Sequence, residues 1–346
     1  MNPKESSTRA LRGYRKPIHS PRTGHDMDAR SSNPPHDAAH VDPNSAGHLS
    51  IDSTRSSASR AAEAAPYVLG SSPAELGRLT LQAMILRPIT ERLFRQAGIK
   101  QGMRVLDLGC GPGDVSFLAA EIVGSSGWVI GIDQAPEAIA LARERARASC
   151  IRNVDFELTT IENFSSPVQF DAVVGRYILV HQADPTAFIR HVMRFIGPNG
   201  VLALHEVSLR HHLRSYPPVP LWDRAGDWLI AAFNPNDPGR DAATRLVEHF
   251  TAAGLRCPSL FAEILIGGGE SSPAYAWTAE TVRSLLPVLA ASDIATAEEV
   301  SIETLEVRLR NAIVAANAQV EGPVQICGWA RVSGTADWEA AGHASI

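Results

Sequence analysis

The chain has 346 residues, of which 45 % are hydrophobic and 20 % charged, enough for one large α/β domain or two small ones in an ordinary globular protein. Its formal net charge of -5 argues against a protein that tracks nucleic acid, because phosphate binding draws on a clustered excess of Lys and Arg. Cys110, Cys150, Cys257 and Cys327 lie far apart without a C-x-x-C pair, which suggests neither a disulfide framework nor a thiolate zinc site and fits a cytoplasmic protein. No run approaches the roughly 18 apolar residues of a membrane span, and no apolar secretory signal stands at the N-terminus.

Residues 1–65 are rich in Ser, Pro, His, Arg and Ala without apolar periodicity, the pattern of a disordered tail, and 333–346 reads as a C-terminal tail. Ser72-Pro73-Ala74-Glu75 has the form of a capping box. A helix of about six turns is expected to follow, broken or kinked near Pro88 and ending at Gly98.

From residue 103 the pattern alternates. Strand-like runs at 104–108, 128–132, 154–158, 170–174 and 201–205 are separated by helical stretches, notably 135–148 and 185–195. The first, second, fourth and fifth runs are nearly continuous apolar stretches, as expected of strands covered on both faces, so the alternation implies a parallel, doubly wound sheet. A segment at 209–237, a helix near 240–253 and two further strands at 259–266 and 324–332 complete the domain, 66–332. The last two strands bracket an insert, 267–322, with two amphipathic helices. It reads with 209–237 as an added helical cover.

The chemistry gathers after the first strand, in Val105-Leu106-Asp107-Leu108-Gly109-Cys110-Gly111-Pro112-Gly113-Asp114. Glycines let the backbone approach a ligand closely, and the amides that open the next helix favour an anionic group. About twenty residues later, Asp133 ends the second strand at the spacing of a ribose-binding acid. That geometry alone serves NAD equally well. The dinucleotide fingerprint, however, would place its third glycine at position 114, where Asp114 stands, and Asp107 suits a ligand with an ammonium group.

The pattern Asp107-x-Gly109-x-Gly111-x-Gly113 resembles the first motif of class I S-adenosylmethionine (SAM)-dependent methyltransferases, and 105–114 with 170–185 are similar in style to the branch of ubiquinone and menaquinone biosynthesis methyltransferases. The resemblance covers about 66–332 and implies a Rossmann-like fold: a seven-stranded, mostly parallel sheet in the order 3-2-1-4-5-7-6 with helices on both faces. It also implies SAM as cofactor, with S-adenosylhomocysteine (SAH) as its product. Carried over, Gly109, Cys110 and Gly111 would line the methionine end, Asp133 would hold the ribose and Gln134 would lie beside the adenine. The family's usual acid after the third strand is replaced by Thr160, whose hydroxyl, or the backbone of Ile161, would take the adenine contact. Arg176 would meet the methionine carboxylate, and Tyr67 resembles a tyrosine that closes over the cofactor.

On the acceptor side, His181 follows the fourth strand and His205-Glu206 ends the fifth, at the edge where open α/β sheets bind ligands, so these three are the candidate catalytic residues. His211-His212 are expected to be solvated, and no metal constellation emerges. Trp222, Trp228, Phe233, Tyr275 and Trp277 are candidate walls of an apolar pocket. No [DNS]-P-P-[YFW] stands where Gly175-Arg176-Tyr177-Ile178 lies, which points away from nucleic acid and toward a small organic acceptor at O, N or C. The competing readings are a SAM-binding protein that transfers no methyl group, a protein or RNA methyltransferase, and an NAD-linked oxidoreductase. A homodimer is left open.

Overall fold

The computed structural model describes residues 73–233 and 238–333. The expected tails, except Ser333, therefore lie outside the described residues, as do Tyr67 and Ser72. The chain begins with α1 (Pro73–Ala97) and then alternates β1 (Arg104–Leu108), α2 (Asp114–Val123), β2 (Trp128–Asp133), α3 (Pro136–Ala148), β3 (Val154–Leu158), β4 (Phe170–Arg176), α4 (Pro185–Val192) and β5 (Ile196–Val207). The strand pairs β1–β2, β1–β4, β2–β3 and β4–β5 are all parallel.

Next come β6 (Ser215–Tyr216), α5 (Pro220–Ala231), a 3₁₀ segment (Pro238–Arg245), α6 (Leu246–Ala252) and β7 (Ser259–Gly268). The insert holds α7 (Ala274–Ala291), α8 (Ala297–Val300) and α9 (Ile302–Ala315), and β8 (Gln319–Arg331) returns antiparallel between β5 and β7. The order is β3-β2-β1-β4-β5-β8, with β7 on the outer side of β8, which matches the expected 3-2-1-4-5-7-6 arrangement. The described sheet has eight strands rather than seven, because the two-residue β6 also pairs with the start of β8.

Alternation along the central strands divides the core between the two faces of the sheet. Val105, Val174 and Ala203 join Leu93, Leu118 and Ile139 beneath α1, α2 and α3. Leu106, Val173 and Leu204 join Ile189, Val192 and Phe250 beneath α4 and α6. Each fully buried aliphatic side chain contributes about 2 kcal/mol relative to exposure, so covering both faces accounts for the long apolar runs in the sequence. Helix starts are fixed locally, as at α4, where Asp184 accepts the Ala187 N–H at 2.9 Å and Pro185 opens the first turn.

Two local expectations are corrected. The break at Pro88 is not there: α1 is one continuous helix of 25 residues, with Pro88 inside it. Pro88 and Met84 both lie on its exposed face, so the carbonyl that loses its amide partner faces solvent and the helix carries on. The helix expected at 240–253 begins as the 3₁₀ segment and becomes α-helical only at Leu246.

A third core lies under the added helices, where Leu285, Leu289, Leu305, Leu309 and Ile313 pack together. Trp222, Trp228 and Tyr275 belong to this core at 0 %, 3 % and 0 % exposure, and Trp222 meets Tyr275 edge-on. They hold the cover together and line neither of the cavities below. Among the described residues, no helix is long and apolar enough to cross a membrane.

Candidate functional site

A cavity of about 470 Å³ opens at the carboxyl ends of β1, β2 and β4. The turn after β1 forms its floor. Gly109, Gly111 and Gly113 all adopt positive φ, at 59°, 53° and 92°, a region in which an L side chain is strained. Gly113 also has no room for one, since a Cβ there would meet Phe156 Cζ at 2.8 Å. Asp133 spans two turns: Oδ2 accepts the Gly111 N–H and Oδ1 the Ala135 N–H, each at 2.8 Å. A carboxylate oxygen has two lone pairs, so both oxygens retain capacity for a ligand's hydroxyls.

Gly109, Cys110, Gly111, Asp133, Gln134, Thr160, Ile161 and Arg176, all expected from the sequence, line this one cavity. Asp107 does not. It sits behind the turn at 1 % exposure and accepts the Ser116 hydroxyl at 2.6 Å, while burial pushes its carboxyl up to about 7. Its expected contact with an ammonium group is thus not a direct one. Asp114, at the position that speaks against a dinucleotide, is ion-paired with Arg145 at 2.6 Å.

Arg176 ends β4, half-buried, and makes no hydrogen bond or ion pair among the described residues. Burial pulls its guanidinium below the usual range, which leaves an under-compensated cation in the wall of the cavity. A ligand carboxylate would satisfy it. Arg176→Met is expected to weaken SAH binding roughly 20-fold, the loss of one charge-assisted pair, with the urea midpoint unchanged. Calorimetry and equilibrium unfolding check the two halves of that expectation.

The candidate catalytic residues separate. His181 lines the cavity, and burial followed by the charge of Arg78 presses its imidazolium down to about 4. His205 and Glu206 line neither this cavity nor the smaller one beside it; both are buried and bonded within the scaffold. His205 Nε2 and the Tyr177 hydroxyl share one acceptor, Gln325 Oε1, at 3.0 and 2.6 Å, while the Gln325 amide donates to Pro323 O at 2.8 Å. Burial, followed by the Arg176 charge, pushes His205 down to about 3, so the ring is neutral. Nε2 must therefore carry its hydrogen, and Nδ1 accepts from the Thr90 hydroxyl at 2.9 Å.

Glu206 Oε1 takes the Ile178 and Leu179 N–H groups at 3.1 and 3.0 Å, pinning the turn after β4, whereas Oε2 has no partner among the described residues. Burial outweighs those amides and raises the carboxyl to about 8. A raised carboxyl pKa stabilises the fold fully below its ordinary value near 4.5, and that contribution is lost as pH climbs through about 8. Glu206→Gln is expected to flatten the fall in stability across this window, read as urea midpoints at a series of pH values. Parallel curves for parent and variant would show that another group carries the proton.

Sequence reading missed the wall supplied by α1. Glu75, Arg78 and Gln82 are 1 %, 3 % and 5 % exposed, and Arg78 bonds Glu75 at 2.5 and 2.8 Å and Gln82 at 2.7 Å. Ser284 of α7 donates to Glu75 at 2.6 Å, tying the added helices to this wall. The available signal was three polar residues at helical spacing on a face that also carries core leucines.

Arg78, Gln82, Tyr177 and His181 also line a second cavity of about 90 Å³, whose remaining walls include Leu229, Ile230 and Phe233 near α5 and Trp277, Thr278 and Leu285 of α7. Phe233 and Trp277 are therefore the only two of the five aromatic wall candidates to reach it. His211, exposed as expected, stands at its rim, while His212 pairs with Asp227 at 2.8 Å. No group of three or more metal-ligating side chains occurs among the described residues.

A methyltransferase-domain family model matches residues 99–232. An aklanonic acid methyltransferase of Streptomyces sp. (strain C5) is 32 % identical over 167 residues, 42 % of this chain and 76 % of that protein. The chain belongs to the class I SAM-dependent methyltransferase family. Two further relatives are a ubiquinone biosynthesis O-methyltransferase of Methylocella silvestris, 33 % identical over 38 % of this chain and 53 % of its own, and a 2-phytyl-1,4-naphtoquinone methyltransferase of Synechococcus elongatus, 35 % identical over 41 % and 63 %. The match thus spans about half to two thirds of these last two relatives. As a methyltransferase, the chain carries its matched region from just before β1 to just after α5; most of the added cover lies beyond it.

Proposed function

We propose that the protein transfers the methyl group of SAM to a small, largely apolar organic molecule, with the donor in the larger cavity and the acceptor in the smaller one. The carrying observation is that the two cavities share Arg78, Gln82, Tyr177 and His181 as a common wall. The residues present fit the cofactor: Arg176 for its carboxylate, the Gly109–Gly111 turn for its methionine backbone, Asp133 for its ribose hydroxyls, and Gln134, Thr160 and Ile161 for its base. Bound SAM supplies an electrophilic methyl on a positively charged sulfur.

The chain contributes alignment and dryness. Tyr177, held at φ 58° with its N–H on His205 O at 2.8 Å and its hydroxyl on Gln325, is fixed where the cavities meet. The apolar side chains of the added helices keep water from the acceptor. The names of two relatives, a ubiquinone biosynthesis O-methyltransferase and a 2-phytyl-1,4-naphtoquinone methyltransferase, agree with a quinone-like acceptor. Four unpaired cysteines suit a cytoplasmic setting. Calorimetry with SAH, followed by transfer of tritiated methyl into cell-extract metabolites below 1 kDa, tests the reading; no heat at millimolar SAH would sink it.

A further inference from the structure

Four ionisable side chains line the smaller cavity: Arg78, Tyr177, His181 and His211. An acceptor hydroxyl that gives up its proton there has these groups or water to receive it. Arg78 offers no accepting atom and is engaged by Glu75 and Gln82. Tyr177 commits its hydroxyl hydrogen to Gln325, and burial pushes its phenol well up, so it stays protonated. His181, pressed down to about 4, holds a proton too weakly to draw one from a phenol.

His211 differs in placement. It lies four residues beyond β5, exposed at the rim of the cavity, with Nδ1 2.8 Å from the Ser208 hydroxyl. Ser208 is 1 % exposed and anchored by its own N–H to Val324 O at 2.9 Å. Its oxygen also takes the Arg210 N–H at 3.4 Å. A hydroxyl oxygen accepts twice, so in the tautomer in which Nδ1 donates to it, Nε2 is bare. Neighbouring charges are paired, Arg210 with Asp241 at 2.6 Å and Arg214 with Asp227 at 3.4 Å. The cavity-lining residues of α5 and α7 are uncharged.

We propose that His211, oriented by Ser208, takes the hydroxyl proton of a phenol or enol acceptor seated in the smaller cavity, which makes the enzyme an O-methyltransferase. This rests on the donor occupying the larger cavity. The acceptor oxygen forms the new C–O bond with its own electron pair, the S–CH₃ bond breaks with its pair going to sulfur, and the proton passes to His211 Nε2 and on to water.

The test uses the full chain loaded with SAH and titrated with 4-nitrophenol, whose ionisation is read by absorbance across pH. In the parent, bound nitrophenol is expected to ionise about one pH unit below the free compound, the equivalent of one added hydrogen bond to the charged form. His211→Asn loses that shift and keeps its SAH affinity, Ser208→Ala loses part of it, and His181→Asn retains it. Methyl transfer to 4-nitrophenol slows about 10²-fold in His211→Asn. An unchanged shift in His211→Asn, its loss in His181→Asn, no shift in the parent, or equal transfer rates in parent and His211→Asn overturns the proposal. A parent that fails to bind SAH overturns instead the reading of the larger cavity.

Discussion

Asp133→Ala is expected to weaken SAH binding about 10³-fold, because two hydrogen bonds to a charged acceptor are together worth ~4 kcal/mol. The carboxylate has two tasks, and the variant removes both. It would accept the ribose hydroxyls, and it already holds the Gly111 and Ala135 amides that set the shapes of the two adjoining turns. Asp133→Asn separates them, since the amide oxygen can still hold one backbone N–H but not both. Calorimetry should rank the affinities parent, Asn, Ala. If all three bind SAH equally, Asp133 has no part in the cofactor site.

The second large effect is on the fold. Gly113→Val forces a β-branched residue to φ 92° and drives its Cβ into Phe156 and Phe117. Left-handed strain costs about 2 kcal/mol and the overpacking about as much again. A total of ~4 kcal/mol lowers the thermal midpoint by roughly 10 °C in a domain of this size. Gly111→Val is the control: it has the same sign of φ, but its Cβ would meet nothing nearer than Leu79 Cδ1 at 3.9 Å, so it should lose only about half as much. Equal midpoints for the two variants would mean that crowding at Phe156 counts for little.

The parallel half of the fold was legible because strands buried on both faces spell continuous apolar runs, and β1 and β4 fall where those runs lie. β6 was invisible, since two residues carry no period, and its pairing is dictated by β8, more than a hundred residues later. The turn at 109–113 and Asp133 were legible because backbone conformation and strand-end position are both written locally. His205 was misread for a related reason. Its place on the strand shows in sequence, but which face its side chain meets depends on α1, where Thr90 accounts for one ring nitrogen. Burial of Glu75 and Arg78 is likewise a property of α7 packing over them, which no pattern within α1 announces. At Pro88 the helix continues because Met84 and Pro88 face solvent, where water can take the carbonyl that has lost its amide partner.

The position of β8 has a consequence for synthesis. This last strand of the described chain sits inside the sheet, with β5 on one side and β7 on the other. While the ribosome is still making the insert, β7 has no neighbour to bond to, and its row of amides and carbonyls stands open beside Leu260, Ile264 and Ile266, which stay exposed even in the finished fold. A message cut short after residue 318 would yield a product with the Rossmann half able to collapse but with two raw strand borders, a substrate for chaperones or for clumping rather than a smaller working enzyme.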